Sequence, residues 1–242
     1  MSGDLLTLRM MVVSAAAETE QRWREVAALA SVPIEISAET AGDAIKPLNR
    51  GGFDIVIVDA ALPVEARSGT ISAARLATPA PLIALLGGPE PEGADIALAP
   101  AVASDDVRAQ IERCVRMRLP KRALVVDDSR TMRGIIRKIL SASRFVLDVS
   151  EADEGIHAVE TLDSRYDIML LDCNLPDSDG FDILARIKQA APATVVVMMT
   201  ATDDDALAGR ARDGGADAFL KKPFYPADID AVLMRIYGAP VN

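Results

Sequence analysis

The chain of 242 residues has room for one large or two ordinary domains, and half of its residues are hydrophobic, so a sizeable core can be buried. A formal charge of −10 argues against a general nucleic-acid or anionic-membrane surface. Two cysteines, Cys114 and Cys173, lie far apart on different predicted elements, which gives neither a disulfide framework nor a metal-ligand spacing and points to a reducing cytoplasm. The N-terminus has an early acid, Asp4, and lacks a basic segment followed by an apolar run, and no stretch approaches the roughly 20 apolar residues of a membrane span, so a soluble protein is expected.

Leu8 to Val13 is a short apolar run, and Glu18 to Ala30 follows with helical spacing through Trp23, Val26, Ala27 and Ala30. Pro33 to Ile36 reads as a second strand and Ala41 to Leu48 as a weak helix. Asp54 to Val58 is a buried-strand pattern ending in Asp59, with Leu62-Pro63 after it. Leu82 to Leu86 is another strand, and Ser104-Asp105-Asp106 caps a helix reaching about Arg118. The junction, Leu119-Pro120-Lys121, holds no Gly/Ser-rich or Pro-rich tether, which suggests restricted domain orientation. Around it Arg113, Arg116, Arg118, Lys121 and Arg122 form a basic cluster, read first as a solvated helix face with cations near its C-terminal end and second as a contact for an acidic surface.

In the second half, four hydrophobic runs end in functional groups. Ala123 to Val126 ends in Asp127-Asp128, and Tyr166 to Leu171 ends in Asp172 before a loop punctuated by Pro176 and Gly180. Thr194 to Met199 ends in Thr200, and Asp217 to Lys221 runs into Lys222-Pro223. Strands alternating with helices predict parallel doubly wound sheets, where chemistry collects at strand ends. Any one of these residues alone could be a helix N-cap or a loop signal. Together they are three carboxylates, a hydroxyl and an ammonium. Clustered carboxylates suit Mg²⁺, bound at about 2.0–2.1 Å with several waters retained. The hydroxyl and ammonium can hold oxygens of a transferring phosphoryl group, and Asp172 can be its nucleophile.

The halves also repeat. Ser14 to Asp59 and Asp127 to Asp172 are both separated by 45 residues, and Asp59 to Gly87 and Asp172 to Thr200 both by 28. Gly93-Ala94-Asp95 mirrors Gly215-Ala216-Asp217. Under this alignment Ser14-Ala15 replaces Asp127-Asp128, Gly87 replaces Thr200 and Pro100 replaces Lys222; only Asp59 persists. A lone Asp cannot readily gather a phosphoryl donor's charge, so Asp59 is expected to make local hydrogen bonds. Gly87 to Gly93 spans 6 residues where Thr200 to Gly215 spans 15, so most of a fourth helix should be missing from the first copy. The Gly87-Gly88-Pro89-Glu90-Pro91-Glu92-Gly93 run is a poor helix former in any case.

Asp127-Asp128, the run Asp172-x-Asn174-x-Pro176-x-x-Asp179-Gly180, Thr200-Ala201 and Lys222-Pro223-Phe224 occur in the order of the receiver domain of two-component response regulators, and residues 121–238 resemble that family. The resemblance implies two tandem flavodoxin-like (βα)5 domains, a degenerate pseudo-receiver over 1–119 and a phosphoacceptor receiver over 120–242. It implies that Asp172 takes a phosphoryl group from phosphohistidine on a sensor histidine kinase or histidine phosphotransfer protein. Asp128, Asp172 and the backbone carbonyl of Asn174 would hold Mg²⁺, with Asp127 acting mainly through water. Thr200 and Lys222 would bond phosphoryl oxygens, and Lys222-Pro223 would be a cis peptide. Thr200 and Phe219 would form the switch, although Phe219 lacks the hydroxyl of the Tyr often found there. Asn174 and Thr202 would tune the acyl phosphate's lifetime.

Other features have plain readings. Asp203-Asp204-Asp205 is the acidic first turn of a helix, Met198-Met199 belongs to a buried strand, and His157 is a surface residue on a helix. Cys173 is a packed small residue whose place beside Asp172 leaves oxidation sensitivity conceivable. Because the chain ends at Asn242, soon after the last helix, a separate output domain is not expected. The reading is therefore a non-enzymatic signalling switch, self-catalysing its phosphoryl transfer and autodephosphorylation, that acts through an unidentified downstream protein or as a phosphorelay intermediate. A homodimer is left open. Two alternatives are a Mg²⁺-dependent phosphohydrolase with an Asp nucleophile, which would want a carboxylate where Ser129 stands, and a phosphorylation-independent scaffold.

Overall fold

The structure, a computed structural model, describes residues 6–88, 91–100, 103–160, 166–202 and 205–239. The sequence features at Asp4, Pro89-Glu90, Asp203-Asp204 and Asn242 lie outside them. The chain divides into two compact units, Met1–Arg118 with Tyr237–Asn242, and Leu119–Ile236.

The first unit runs β1 (Leu8–Val13), α1 (Ala17–Ala27), β2 (Ile34–Glu39), α2 (Ala41–Arg50), β3 (Ile55–Asp59), α3 (Val64–Leu76), β4 (Leu82–Leu86), β5 (Ile96–Leu98) and α4 (Ser104–Arg118). The second runs β6 (Lys121–Val126), α5 (Arg130–Ser141), β7 (Leu147–Ala152), α6 (Gly155–Glu160), β8 (Ile168–Asp172), α7 (Gly180–Ala190), β9 (Val195–Thr200), α8 (Asp205–Asp213), β10 (Ala218–Lys221) and α9 (Pro226–Tyr237). Each unit holds one five-stranded parallel sheet, ordered β2-β1-β3-β4-β5 and β7-β6-β8-β9-β10. This is the flavodoxin-like order, in both units. Central strands such as Ile168–Asp172 and Val195–Thr200 are buried along their whole length, which is why they read as unbroken apolar runs without alternation. Among the described residues, no helix joins β4 to β5.

The repeat extends to individual bonds. Asp54 Oδ2 accepts from the Arg9 amide at 2.9 Å, and Asp167 Oδ2 from the Arg122 amide at 2.8 Å. Asp95 Oδ2 accepts from Ile83 N and Asp217 Oδ2 from Val196 N, each at 2.8 Å. In both copies these carboxylates tie the start of one strand to the next. Arg75 on α3 reaches the β4–β5 connection, pairing with Asp95 at 2.6 Å and donating to the Gly93 carbonyl at 2.9 Å.

Two local expectations differ from the structure, and one helix was not singled out in the sequence. Helix α1 ends at Ala27, short of Ala30, and the Leu29 and Ala30 amides make tight bonds to the Val26 and Ala27 carbonyls before Pro33 enforces extended chain. Helix α3 gave no clear signal because Ser68, Gly69, Thr70 and Ser72 are weak helix formers in its middle. The basic cluster is not uniformly a solvated face: Arg118 and Lys121 are buried, Arg118 lying 3.6 Å from Asp54 and Lys121 Nζ donating to the Leu119 carbonyl at 2.8 Å.

Candidate functional site

In the second unit, β6, β8, β9 and β10 end side by side and deliver their terminal groups to one edge of the sheet. Val126 is the last residue of β6 matched to β8, so Asp127 and Asp128 project beyond the ladder. Asp127 is 1% exposed; its Oδ1 accepts from Ser129 N at 2.9 Å, and the Ser129 hydroxyl in turn caps α5 by accepting from Met132 N at 3.3 Å. Asp128 is exposed. Asp172 ends β8 at 8% exposure, and its Oδ1 accepts from Asn174 N at 3.4 Å. One carboxylate oxygen from each of Asp127, Asp128 and Asp172 lies within 4.8 Å of the others.

Lys222, just past β10, closes this cluster. Its Nζ donates to Asp127 Oδ2 at 2.6 Å and to Asp172 Oδ2 at 2.8 Å, and its amide bonds the Thr200 carbonyl at 2.7 Å. The Lys222-Pro223 peptide is cis. Burial would lower the Lys222 pKa, but the hydrogen bonds and charges of Asp127 and Asp172 outweigh it and hold the ammonium above its ordinary range. Burial pushes the Asp172 carboxyl up, and one ammonium shared between two carboxylates does not offset this. The neighbouring thiol of Cys173 is pushed up to about 11 by burial and by the Asp172 charge, so it is a poor thiolate. Cys173 is buried, as the packed-residue reading expects.

Thr200 sits one residue beyond the Asp172–Met199 pair in the β8–β9 ladder and is fully buried; its Oγ1 accepts from Thr202 N at 3.1 Å. Phe219 is partly buried against the core. Asn174 is exposed, in a loop closed by the Asn174–Asp179 bridge and by the Gly180 amide bonding the Cys173 carbonyl at 3.1 Å. His157 is exposed on α6. The sequence-predicted Asp127, Asp128, Asp172 and Lys222 thus converge, and Thr200 lies on the adjoining strand.

Several contacts around the site had no sequence signal, although Asp179 itself falls in the Asp172–Gly180 motif. Asp177 accepts from the amides of Gly155 and Ile156 at 3.3 and 3.2 Å, tying the loop after β8 to the start of α6. Asp179 caps α7 through Phe181 N and takes a bond from Arg210 at 2.9 Å, whose guanidinium lies 3.9 Å from the Phe181 ring centroid. Arg133 on α5 donates to the Asp127 carbonyl at 2.8 Å and to the Asp128 carbonyl at 3.2 Å, while its Nε bonds Glu151 on β7 at 3.1 Å. Burial would raise the Glu151 carboxyl, but bonds from Arg137 and Arg133 hold it below the usual carboxylate range. Arginine and glutamate are common on helices and edge strands, and only the packing of α5 on β6 and β7 brings these two to the acidic pair.

The first unit's counterpart is quiet. Asp59 Oδ2 accepts from the Ser14 hydroxyl at 2.7 Å and Oδ1 from Ala61 N at 2.9 Å, the local bonds expected of it. Its loop is also shorter, with α3 starting at Val64, five residues after Asp59, where α7 starts eight residues after Asp172.

Residues 123–234 match the family model of the response regulator receiver domain. The chemotaxis protein CheY of Listeria monocytogenes is 37% identical over 102 residues, covering 42% of this chain and 85% of CheY. The transcriptional regulatory protein ResD of Bacillus subtilis is 33% identical over 107 residues, covering 44% of this chain and 43% of ResD, so the chain spans less than half the length of that regulator. A solved structure of a probable two-component system response regulator/GGDEF domain protein covers 96% of this chain and 100% of its own, at 19% identity and a TM-score of 0.52, a likeness of fold. Among the described residues, no helix is long and apolar enough to cross a membrane. Matching the family model over residues 123–234 and covering 85% of a relative 37% identical to it, the chain belongs to the response regulator receiver family.

Proposed function

We propose that residues 120–242 form a phosphoacceptor receiver in which Asp172 is phosphorylated with the help of Mg²⁺, and that residues 1–119 form a degenerate pseudo-receiver. The observation that carries this is the Lys222 ammonium held between Asp127 and Asp172 beside a third carboxylate. Three carboxylates facing one ammonium leave an excess of negative charge at a largely buried site, and an oxygen-only donor set fits a hard cation. Asp127, Asp128, Asp172 and the Asn174 carbonyl would hold Mg²⁺, which when bound neutralises charge on the carboxylates and on phosphoryl oxygens.

The chain's own groups then do the following. An Asp172 carboxylate oxygen attacks the phosphorus of phosphohistidine on a kinase or phosphotransfer protein; the P–N bond breaks, and the imidazole nitrogen leaves with the electron pair. Lys222 swings from its carboxylate partners to a phosphoryl oxygen, and Thr200 Oγ1 bonds another. The new charge of about −1.5 to −2 draws Thr200 toward it, and Phe219, only partly buried, moves into the space released. That change biases contacts with a downstream protein in the cytoplasm or passes the group along a phosphorelay, without turnover of a separate substrate. Ser129, committed to capping α5, offers no second carboxylate for a phosphohydrolase. The first unit serves in docking, a role that is lost as a reading should deletion of residues 1–119 leave every partner interaction and the oligomeric state unchanged.

The direct test is phosphoryl incorporation from acetyl phosphate with Mg²⁺, read by intact mass on wild type, Asp172→Ala and Asp59→Ala. One phosphoryl increment is expected in wild type and Asp59→Ala and none in Asp172→Ala. An unlabelled wild type, or label surviving Asp172→Ala, would leave the chain better described as a scaffold.

A further inference from the structure

Three carboxylates that repel one another do not converge by themselves; something must hold the turn that carries two of them. The carbonyls of Asp127 and Asp128 lie beyond the strand ladder, whose last matched pairs are Val126 with Ala152 and with Leu171. Arg133 Nη1 donates to both carbonyls, and the side chain, 12% exposed, is itself fixed by Glu151. Glu151 is in turn held by Arg137 through its other oxygen at 2.7 Å.

We propose that Arg133 is a positioning residue for the metal site: steered by Glu151, its guanidinium clamps the Asp127-Asp128 backbone so that the carboxylates converge, and so sets the affinity for Mg²⁺. This rests on the reading that Asp127, Asp128 and Asp172 hold the ion. The fork geometry suits the task, because a planar guanidinium can serve two carbonyls and a carboxylate at once while an ammonium is a single point of charge. The first unit supplies a control within the same chain. By the offset that matches Ser14 to Asp127, Arg133 corresponds to Glu20 and Glu151 to Ala38. The copy that lacks the acidic pair also lacks the clamp.

Charge and positioning predict opposite signs. Removing a cation near three carboxylates should by electrostatics alone tighten Mg²⁺ binding, whereas loss of the clamp should weaken it. Mg²⁺ titrated into the full chain by calorimetry, without any phosphoryl donor, reads this directly. Arg133→Gln is expected to weaken Mg²⁺ about 10-fold, the lower end for partners that orient metal ligands. Arg133→Lys, with its charge kept, should still weaken it several-fold, and Arg137→Gln, which touches Glu151 but neither carbonyl, should stay within about 2-fold. Thermal unfolding in EDTA checks that each variant is folded; if Arg133→Gln is not, Arg133→Lys carries the test. Binding that is unchanged or tighter in a folded Arg133 variant overturns the clamp while leaving the metal site standing. A wild type that binds no Mg²⁺ removes the metal reading and the clamp together.

Discussion

Lys222 and Asp172 respond to the same burial in opposite ways because carboxylates outnumber the ammonium. Lys222 gains partners and stays charged; Asp172 shares one and has its pKa raised, burial being the largest cause. A carboxyl raised in the folded state favours folding below its ordinary value of 3.8, and that contribution is lost as pH rises through the folded value. Ionised Asp172 is therefore carried at a penalty in the metal-free protein. Asp172→Asn should stabilise the Mg²⁺-free second unit at pH 7, on the order of 1 kcal/mol, as removal of functional-site strain commonly does. The gain should shrink as pH falls below the ordinary carboxylate range, where both side chains are neutral. Urea titrations in EDTA at pH 7 and at acid pH measure the difference; a destabilised variant at pH 7 would mean that the lost bond to Lys222 outweighs relief of the buried charge.

At the scale of elements, the loop between β8 and α7 is held by bonds that no single element supplies. Asp177 ties it to α6, the Gly180 amide returns it to Cys173, and Asp179 links it to Arg210 on α8. Gly180 marks the tightest point, where an added Cβ would stand 2.3 Å from the Asp172 carbonyl oxygen and 2.9 Å from Cys173 Cα. These are backbone atoms of Asp172 and Cys173 and cannot rotate away. Gly180→Ala should destabilise the second unit by about 3 kcal/mol, within the range for overpacking, and should slow labelling of Asp172 because the loop must shift. Denaturant unfolding together with labelling by acetyl phosphate tests both effects; wild-type stability would mean that α7 can slide to accept the methyl group.

At the scale of the molecule, two copies of one fold differ in the groups at their strand ends. The first keeps the sheet order, the tethering carboxylates and Asp59, but Asp59 is bonded by Ser14 and its β4–β5 connection is held to α3 by Arg75. The two copies also have separate cores and should unfold as separate transitions. A ligand that binds one folded unit stabilises it by RT ln(1 + [L]/Kd), about 1.4 kcal/mol at tenfold excess over Kd. Mg²⁺ should therefore raise one of two calorimetric transitions and leave the other in place, and the responding transition should lose its shift in Asp128→Ala. Equal shifts in both would show that Asp59 retains a cation site.

The sequence alone determined the strand cores, the site carboxylates, Lys222, Thr200 and the internal repeat. Each is local: an unbroken apolar run with a polar residue at its end is legible because a parallel strand buried on both faces tolerates nothing else along its length. It also pointed to the missing fourth helix of the first copy, where the described residues hold no helix between β4 and β5, since a run rich in Gly and Pro is a poor helix former. It did not determine helix α3, whose Ser and Gly residues are made helical by burial of Ile71, Ala73 and Ala74 against the sheet. Nor did it determine the burial of Arg118 and Lys121, which depends on Asp54 and Leu119 lying nearby. The Arg133–Glu151 clamp and the Asp177 and Arg210 ties join residues 18, 22 and 31 positions apart on different elements. Only tertiary packing decides such contacts, because their partners have no fixed spacing and each residue is ordinary on its own element.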